Sequence, residues 1–172
     1  MRPGVDCTRI GLGTMPLFRL IYCSKNLISG STEQILDEID RLIEVAAARN
    51  KEDRITGALL FNRGRFAQVL EGPRTAVEAT FSRIRLDPRH EDIVVLQAEA
   101  TTQRAFEGWG MAFVGNSTRI DNVYKTVSPM PKFEPDAMSG EGILGFLMVL
   151  VKEKEEVPQV SSAQQLHQEL GA

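Results

Sequence analysis

Two strand-like runs near the middle of the chain, Ile55–Phe61 and Arg65–Glu71, are separated only by Asn62-Arg63-Gly64. Both are rich in apolar and β-branched residues, and three residues ending in glycine suffice for a hairpin. The remainder of the chain must be arranged around this pair. Upstream, Leu17 to Cys23 reads as a strand, with Leu20 and Tyr22 on one face and Arg19, Ile21 and Cys23 on the other. A polar loop from Ser24 to Thr32 follows it. Ser31 with Gln34 is a capping box, and Ile35, Leu36, Ile39, Leu42, Ile43, Ala46 and Ala47 then recur at helical spacing to about Asn50. Downstream, Gly72-Pro73 stops the hairpin. Thr75 with Glu78 predicts a second capped helix, with a stripe of Val77, Phe81 and Ile84, closed by Asp87-Pro88. Ile93–Leu96 reads as a fully buried fourth strand, and Met111–Val114, preceded by Trp109, as a short fifth. The order β-α-β-β-α-β-β predicts an α+β, ferredoxin-like sheet with two helices on one face.

At 172 residues and 42% apolar content, the chain is one domain with a short appendage and needs no metal or disulfide to hold a core. Its net charge of -3 lacks the basic surface that nucleic acid or an anionic membrane demands, so neither is an expected partner. Cys7 and Cys23 form no metal-spaced pair and there are two histidines, which predicts a reduced, cytoplasmic compartment and no metal site. Residues 1–16 contain Arg2, Asp6 and Arg9 with three glycines and two prolines, and read as a flexible leader rather than a signal peptide. The longest apolar run, Ile143 to Val151, is nine residues, too short for a bilayer span. The 57 residues after Gly115 hold a predicted helix at 141–154 and a second at 162–170, with a charged break around Glu153–Glu156 and Pro158. These are the C-terminal capping helices.

The third strand carries the informative anomaly. Phe66, Gln68 and Leu70 share one face, and Ala67, Val69 and Glu71 the other. If helices cover the Phe66/Leu70 face, Gln68 is a buried amide that must find partners. Tyr22 lies on the corresponding face of the first strand, and Asn50 ends the helix packed over it. A phenol and two amides between a sheet and two helices make a hydrogen-bonding pocket without acid, base or metal ligand. Taken singly, each reads as an ordinary satisfied core group or helix terminus, and Trp109 and Met111 as core.

Together they resemble one family. Leu17-Phe18-Arg19-Leu20-Ile21-Tyr22-Cys23-Ser24, Asn50, Ile55-Thr56-Gly57-Ala58-Leu59-Leu60, Gly64-Arg65-Phe66-Ala67-Gln68-Val69-Leu70-Glu71-Gly72, Asp87-Pro88-Arg89-His90 and Arg104-Ala105-Phe106-Glu107-Gly108-Trp109-Gly110-Met111 are similar to the BLUF domain, the flavin-binding blue-light sensor. The resemblance covers about residues 17–115, with residues 116–172 as a helical extension. The steps of 18 residues from Asn50 to Gln68 and 41 from Gln68 to Trp109 agree with the family. The loop after the first strand is longer than usual, and Arg49 stands where many members have a second asparagine.

The resemblance implies non-covalent FAD between the two helices. It implies binding by Tyr22, Ser24, Asn50, Phe66, Gln68, Arg83, Ile84, Asp87, Arg89 and His90, with Arg89 near the phosphate end. Tyr22 and Gln68 would form the photochemical switch: transient transfer from Tyr22, then rotation or tautomerisation of Gln68 to donate a new hydrogen bond. Trp109 and Met111, two residues apart and expected on one strand face, would relay the signal. The output is expected in another chain, because 57 residues are too few for a cyclase or phosphodiesterase; the C-terminal stripe of Ile143, Leu144, Leu147, Met148 and Val151 would serve an effector, homo-oligomerisation or simple coverage of the sheet. No enzymatic activity is expected. An acylphosphatase-like enzyme would need a phosphate cradle in the first loop, and an RNA-recognition module a basic aromatic strand; both are missing. The alternative is a flavin-binding interaction domain without photochemical switching.

Overall fold

The central hairpin forms as expected. In the computed structural model, which describes residues 16–115, 118–127 and 132–155, β1 (Leu17–Asn26) is followed by α1 (Thr32–Glu52), β2 (Thr56–Asn62), β3 (Arg65–Pro73), α2 (Arg74–Arg85), β4 (His90–Thr101), β5 (Ala112–Val114), α3 (Thr118–Val127) and α4 (Gly140–Glu155). The five strands lie in the order β4-β1-β3-β2-β5. The first four form the antiparallel ferredoxin-like arrangement, and β5 adds to β2 in parallel, pairing Ala58 with Ala112 and Leu60 with Val114. Gly64 occupies the hairpin turn at φ +74, where a side chain would be strained. The predicted leader, its Cys7, the helix at 162–170 and Pro158 lie outside the described residues.

Strand alternation sends two different apolar sets to the two faces. Phe18, Leu20, Tyr22, Leu59, Phe61, Phe66, Leu70, Met111 and Phe113 meet α1 and α2 through Ile39 and Val77. Ile21, Cys23, Ala58, Leu60, Ala67, Val69, Ala112 and Val114 meet α3 and α4. The stripe of α4 is therefore consumed by its own sheet: Ile143, Leu144, Leu147 and Val151 are buried there, and Met148 packs beside them. Ser139 starts α4, its Oγ accepting from the Gly142 N–H at 3.1 Å. Helix α3, with Ile120, Val123 and Tyr124 at helical spacing, is not among the expected elements.

Several boundaries differ from expectation. Strand β1 does not stop at Cys23; it runs to Asn26, because β3 and β4 offer backbone partners to the polar residues Ser24 and Lys25. Strand β4 is twelve residues rather than four, and it is not fully buried. It is the sheet edge, so Val94 and Val95 are 43% and 47% exposed despite their apolar character. Its pairing with β1 contains two register shifts, where the longer strand bulges. Helix α1 begins with the expected capping box, Ser31 Oγ accepting from the Gln34 N–H and Gln34 Oε1 from the Ser31 N–H. The box expected for α2 is absent. Pro73 is the cap residue, Thr75 already lies inside the helix, and Glu78 is held by Arg74 at 2.7 Å, one turn away. Proline at the strand end starts the helix earlier than the capping pattern suggests.

Candidate functional site

A cavity of about 280 Å³ opens between the sheet face and the two helices α1 and α2. Each element supplies part of its wall. From β1 comes Tyr22, from β3 Phe66, Gln68 and Leu70, and from β2 Leu59. Helix α1 supplies Leu42, Val45, Ala46, Arg49 and Asn50, which share one side of its last turns. Helix α2 and the turn after it contribute Thr80, Arg83, Ile84, Asp87, Arg89 and His90, and Met111 closes the β5 end.

The polar groups at the floor are paired with one another. Tyr22 and Gln68 are register partners on adjacent strands, and the Tyr22 hydroxyl donates to Gln68 Oε1 at 2.5 Å. Both are almost fully buried. The other end of the amide, Nε2, lies 3.4 Å from Met111 Sδ. Burial pushes the Tyr22 phenol far above its ordinary value, with the charges of Asp87 and Cys23 adding to the shift. It is therefore a neutral hydrogen-bond donor at any ordinary pH. Phe81 of α2 packs against its ring at a centroid distance of 5.2 Å, which holds the phenol's direction.

Asn50 is buried at the end of α1, and its Nδ2 donates to the Gly110 carbonyl at 2.9 Å. A side chain at Gly110 would meet the Ala47 carbonyl at 3.0 Å, so glycine lets this segment lie close on the helix. At the opposite side, His90 Nε2 faces the Ile84 carbonyl at 2.8 Å, and Nδ1 faces the Ser24 hydroxyl at 2.9 Å. A carbonyl only accepts, so Nε2 carries the proton, and a neutral ring takes the Ser24 hydroxyl at Nδ1. The mouth is charged. Arg89 binds Asp87 and reaches Glu38 of α1 at 2.9 Å, while Arg83 pairs with Asp53 at 3.0 Å. The Arg89 guanidinium hydrogen-bonded to Asp87 holds that carboxyl below the usual carboxylate range.

Ten of the residues expected at the site, Tyr22, Asn50, Phe66, Gln68, Arg83, Ile84, Asp87, Arg89, His90 and Met111, line this one cavity. Ser24 stands behind it, supporting His90. Trp109 does not join Met111. The chain between them is not yet strand, because β5 begins at Ala112, and Trp109 packs on the opposite face with the cluster under α3 and α4. The two expected relay residues are thus divided between the two faces, and Met111 is the one that touches Gln68. Arg41, Leu42, Val45, Ala46, Leu59, Leu70 and Thr80 also line the cavity without having been singled out. The signal for three of them was present, since Leu42 and Ala46 lie on the apolar stripe of α1, and Leu70 shares the face of Gln68. Among the described residues no cluster of His, Cys, Asp or Glu could hold a metal ion, and no helix is long and apolar enough to cross a membrane.

The family model described as BLUF, sensors of blue light using FAD, matches residues 17–112. The blue light- and temperature-regulated antirepressor BluF of Escherichia coli (strain K12) is 37% identical over 79 residues, covering 46% of this chain and 20% of that protein. The photoactivated adenylate cyclase subunit alpha of Euglena gracilis is 42% identical over 116 residues, covering 66% of this chain and 10% of that protein. The chain thus spans a fifth or less of these curated relatives' length. Among solved structures, the BlsA photo-activated state superposes with a TM-score of 0.69 at 27% identity, covering 78% of this chain and 94% of that one.

The cavity suits a flavin ring. Leu42, Ala46, Leu59, Phe66, Leu70 and Ile84 give it apolar walls, its volume is close to the lower bound of ligand pockets (about 300–1,000 Å³), and its floor carries the Tyr22 phenol and two amides, which both donate and accept. The part of a flavin beyond its ring would lie toward the mouth, where the Arg41, Arg83 and Arg89 side chains reach solvent.

Proposed function

The chain belongs to the BLUF family of blue-light sensors that bind flavin, and from that premise we propose that it is a photoreceptor whose switch is the Tyr22–Gln68 pair and whose flavin is FAD. The observation that carries this reading is the 2.5 Å hydrogen bond from Tyr22 to Gln68 Oε1 at the cavity floor. Tyr22, Ser24, Asn50, Phe66, Gln68, Arg83, Ile84, Asp87, Arg89 and His90 would hold the flavin or support the residues that do. Arginines at the mouth favour FAD over FMN, because a diphosphate gains more from several guanidinium groups than a single phosphate does.

A bound flavin supplies absorption of blue light and, once excited, an oxidising partner for a nearby phenol. The remaining work belongs to the protein. A phenol that loses an electron becomes a strong acid, so the proton of Tyr22 moves along its bond to Gln68 Oε1, and electron and proton both return to Tyr22 to close the cycle. The outward transfer loosens the contact fixing the amide's orientation. The two ends of an amide have nearly the same shape and opposite hydrogen-bonding character. Exchange of the ends of Gln68 therefore changes the hydrogen bonds without changing the packing. Met111, in contact with Nε2, registers the exchange and passes it to β5.

Strand β5 is covered on its far face by α3 and α4, so these helices, in the segment from 116 onward, are the output surface. Among the relatives, the sensor sequence is part of an antirepressor and of cyclase subunits. Here we read the recipient as an effector protein or a second copy of the chain, in the cytoplasm, with no role for nucleic acid or membrane. The apolar stripe of α4 is occupied by the sheet, so recognition falls to its exposed side, which includes Glu141, Val149 and Lys152.

The test is an absorption spectrum of the purified protein before and after blue light, with Tyr22→Phe beside it. The wild type should be yellow and shift reversibly to the red. Tyr22→Phe should keep its flavin and lose the shift. A full shift in that variant overturns the mechanism, and a yellow wild type that never shifts indicates a flavin-binding interaction domain instead.

A further inference from the structure

One carboxylate among the described residues is wholly buried, and it lies outside the cavity. Glu71 of β3 has 0% exposure and points to the face opposite Gln68, three residues away on the same strand. A buried carboxylate is costly unless several donors meet it. Four donor contacts do so here. Arg19 Nε lies at 2.7 Å, the Ala105 N–H is shared by both oxygens at 3.0 and 2.9 Å, and the Phe106 N–H reaches Oε2 at 3.1 Å. The same turn is fastened a second time through Arg104, whose guanidinium donates to Thr56 Oγ1 and to the carbonyls of Glu71 and Arg54.

From this anchor the chain runs directly to the switch. The Phe106 carbonyl accepts from the Trp109 N–H, the Trp109 carbonyl from the Gly57 N–H, and the Gly110 carbonyl from Asn50. The next residue, Met111, ends 3.4 Å from Gln68 Nε2. The segment 105–111 is therefore strung between two side chains of β3, Glu71 at its start and Gln68 at its end. Gly108, at φ +86, and Gly110 lie between these ends.

We propose that Glu71 is a positioning residue for the photoresponse, holding the upstream end of the Ala105–Met111 segment so that the Met111 sulfur stays against Gln68. The inference rests on the Tyr22–Gln68 pair being the switch. In the dark arrangement the sulfur faces an amide N–H, for which it is a weak acceptor. After the ends of Gln68 exchange, the same sulfur faces a carbonyl oxygen and disfavours it. A firmly held Met111 therefore drives the return to the dark arrangement, and a loosened one prolongs the lit arrangement.

The test compares wild type, Glu71→Gln, Met111→Ala and the double variant, each loaded with FAD, by red-shift amplitude and dark-recovery rate. Glu71→Gln replaces a group that only accepts with one that turns N–H toward the Ala105 and Phe106 donors. It should keep the amplitude and slow recovery by about threefold. In the Met111→Ala background the same substitution should change recovery by less than about 1.5-fold, because its effect passes through Met111. An unchanged rate in Glu71→Gln, or equal slowing in both backgrounds, overturns the inference; the second result marks a merely structural residue. Should Glu71→Gln not fold, Glu71→Asp, whose shorter stem reaches fewer donors, is read by the same criteria. If the wild type itself does not shift, the switch reading fails. The anchor is then judged by acrylamide quenching of Trp109, the single tryptophan, which should rise about twofold in Glu71→Gln; unchanged quenching overturns it.

Discussion

Gln68 Nε2 stands 3.4 Å from Met111 Sδ, so the amide at the centre of the site has unequal partners at its two ends. Its oxygen receives a short bond from Tyr22, while its N–H has exchanged water for a thioether, a poor acceptor. The orientation of this amide thus depends chiefly on one bond, the one from Tyr22.

Met111→Leu conserves volume and removes the sulfur lone pairs. The red shift should persist, since Tyr22 and Gln68 are untouched. The exchanged amide no longer sets its oxygen against sulfur, so dark recovery should slow by about two- to fivefold. Time-resolved absorbance after a light pulse measures this, and a faster recovery contradicts it.

Asn50 joins the cavity to the segment before β5 through its bond to the Gly110 carbonyl. Asn50→Ala leaves that carbonyl without its amide partner, at a cost of about 1–3 kcal/mol. For a chain of this size the melting temperature should drop by about 2–12 °C. Flavin retention should weaken as well, because the same amide lines the cavity. Thermal melting and equilibrium dialysis of the flavin check the two effects separately.

Most of the cavity was legible in the sequence, because strand alternation alone places Tyr22 with Leu20 and Gln68 with Phe66, and helical spacing places Asn50 over them. What escaped depended on tertiary partners. Ser24 and Lys25 look like loop residues but extend β1, since β3 and β4 offer them backbone hydrogen bonds. Val94 and Val95 look like core but sit on the sheet edge, a position that local sequence does not encode. Trp109 and Met111 are spaced to share a strand face, yet the chain enters β5 only at Ala112, so the alternation does not apply to them. Glu71 shares a face with Ala67 and Val69; the missing signal was that α3 and the 104–106 turn join α4 in covering that face.

Helix α3 is fastened to the β2–β3 hairpin at one charged point. Asp121 accepts from Arg63 and from the buried Asn62 amide at 3.2 Å, and the Arg63 bond holds the carboxyl below its usual range. Asp121→Ala leaves the Asn62 amide without this acceptor, a loss of about 1–2 kcal/mol. Hydrogen exchange over 118–127 should accelerate while the flavin spectrum stays unchanged. Equal acceleration across β1 and β3 would show that the loss is global rather than local to α3.

The buried phenol predicts a specific alkaline instability. Folding raises the Tyr22 proton affinity above its ordinary value of 10.0, mainly through burial. Up to about pH 10 both the folded and the unfolded chain hold the proton, and the stability linked to this group is fully present. Above that, the unfolded chain releases the proton and the folded chain keeps it, so stability falls as pH rises, by at most about 1.4 kcal/mol per pH unit. Burial also pushes the Cys23 thiol up to about 11 from 9.0, so its contribution declines in an overlapping range. Tyr22→Phe separates the two, because it removes the phenol and leaves Cys23. Urea midpoints at pH 9, 10 and 11 should fall more steeply for the wild type than for Tyr22→Phe, with the gap opening above pH 10. The wild-type red shift should keep its amplitude from pH 6 to 10, since Tyr22 remains protonated throughout. Parallel urea curves for the two proteins would mean that Tyr22 does not carry the buried proton.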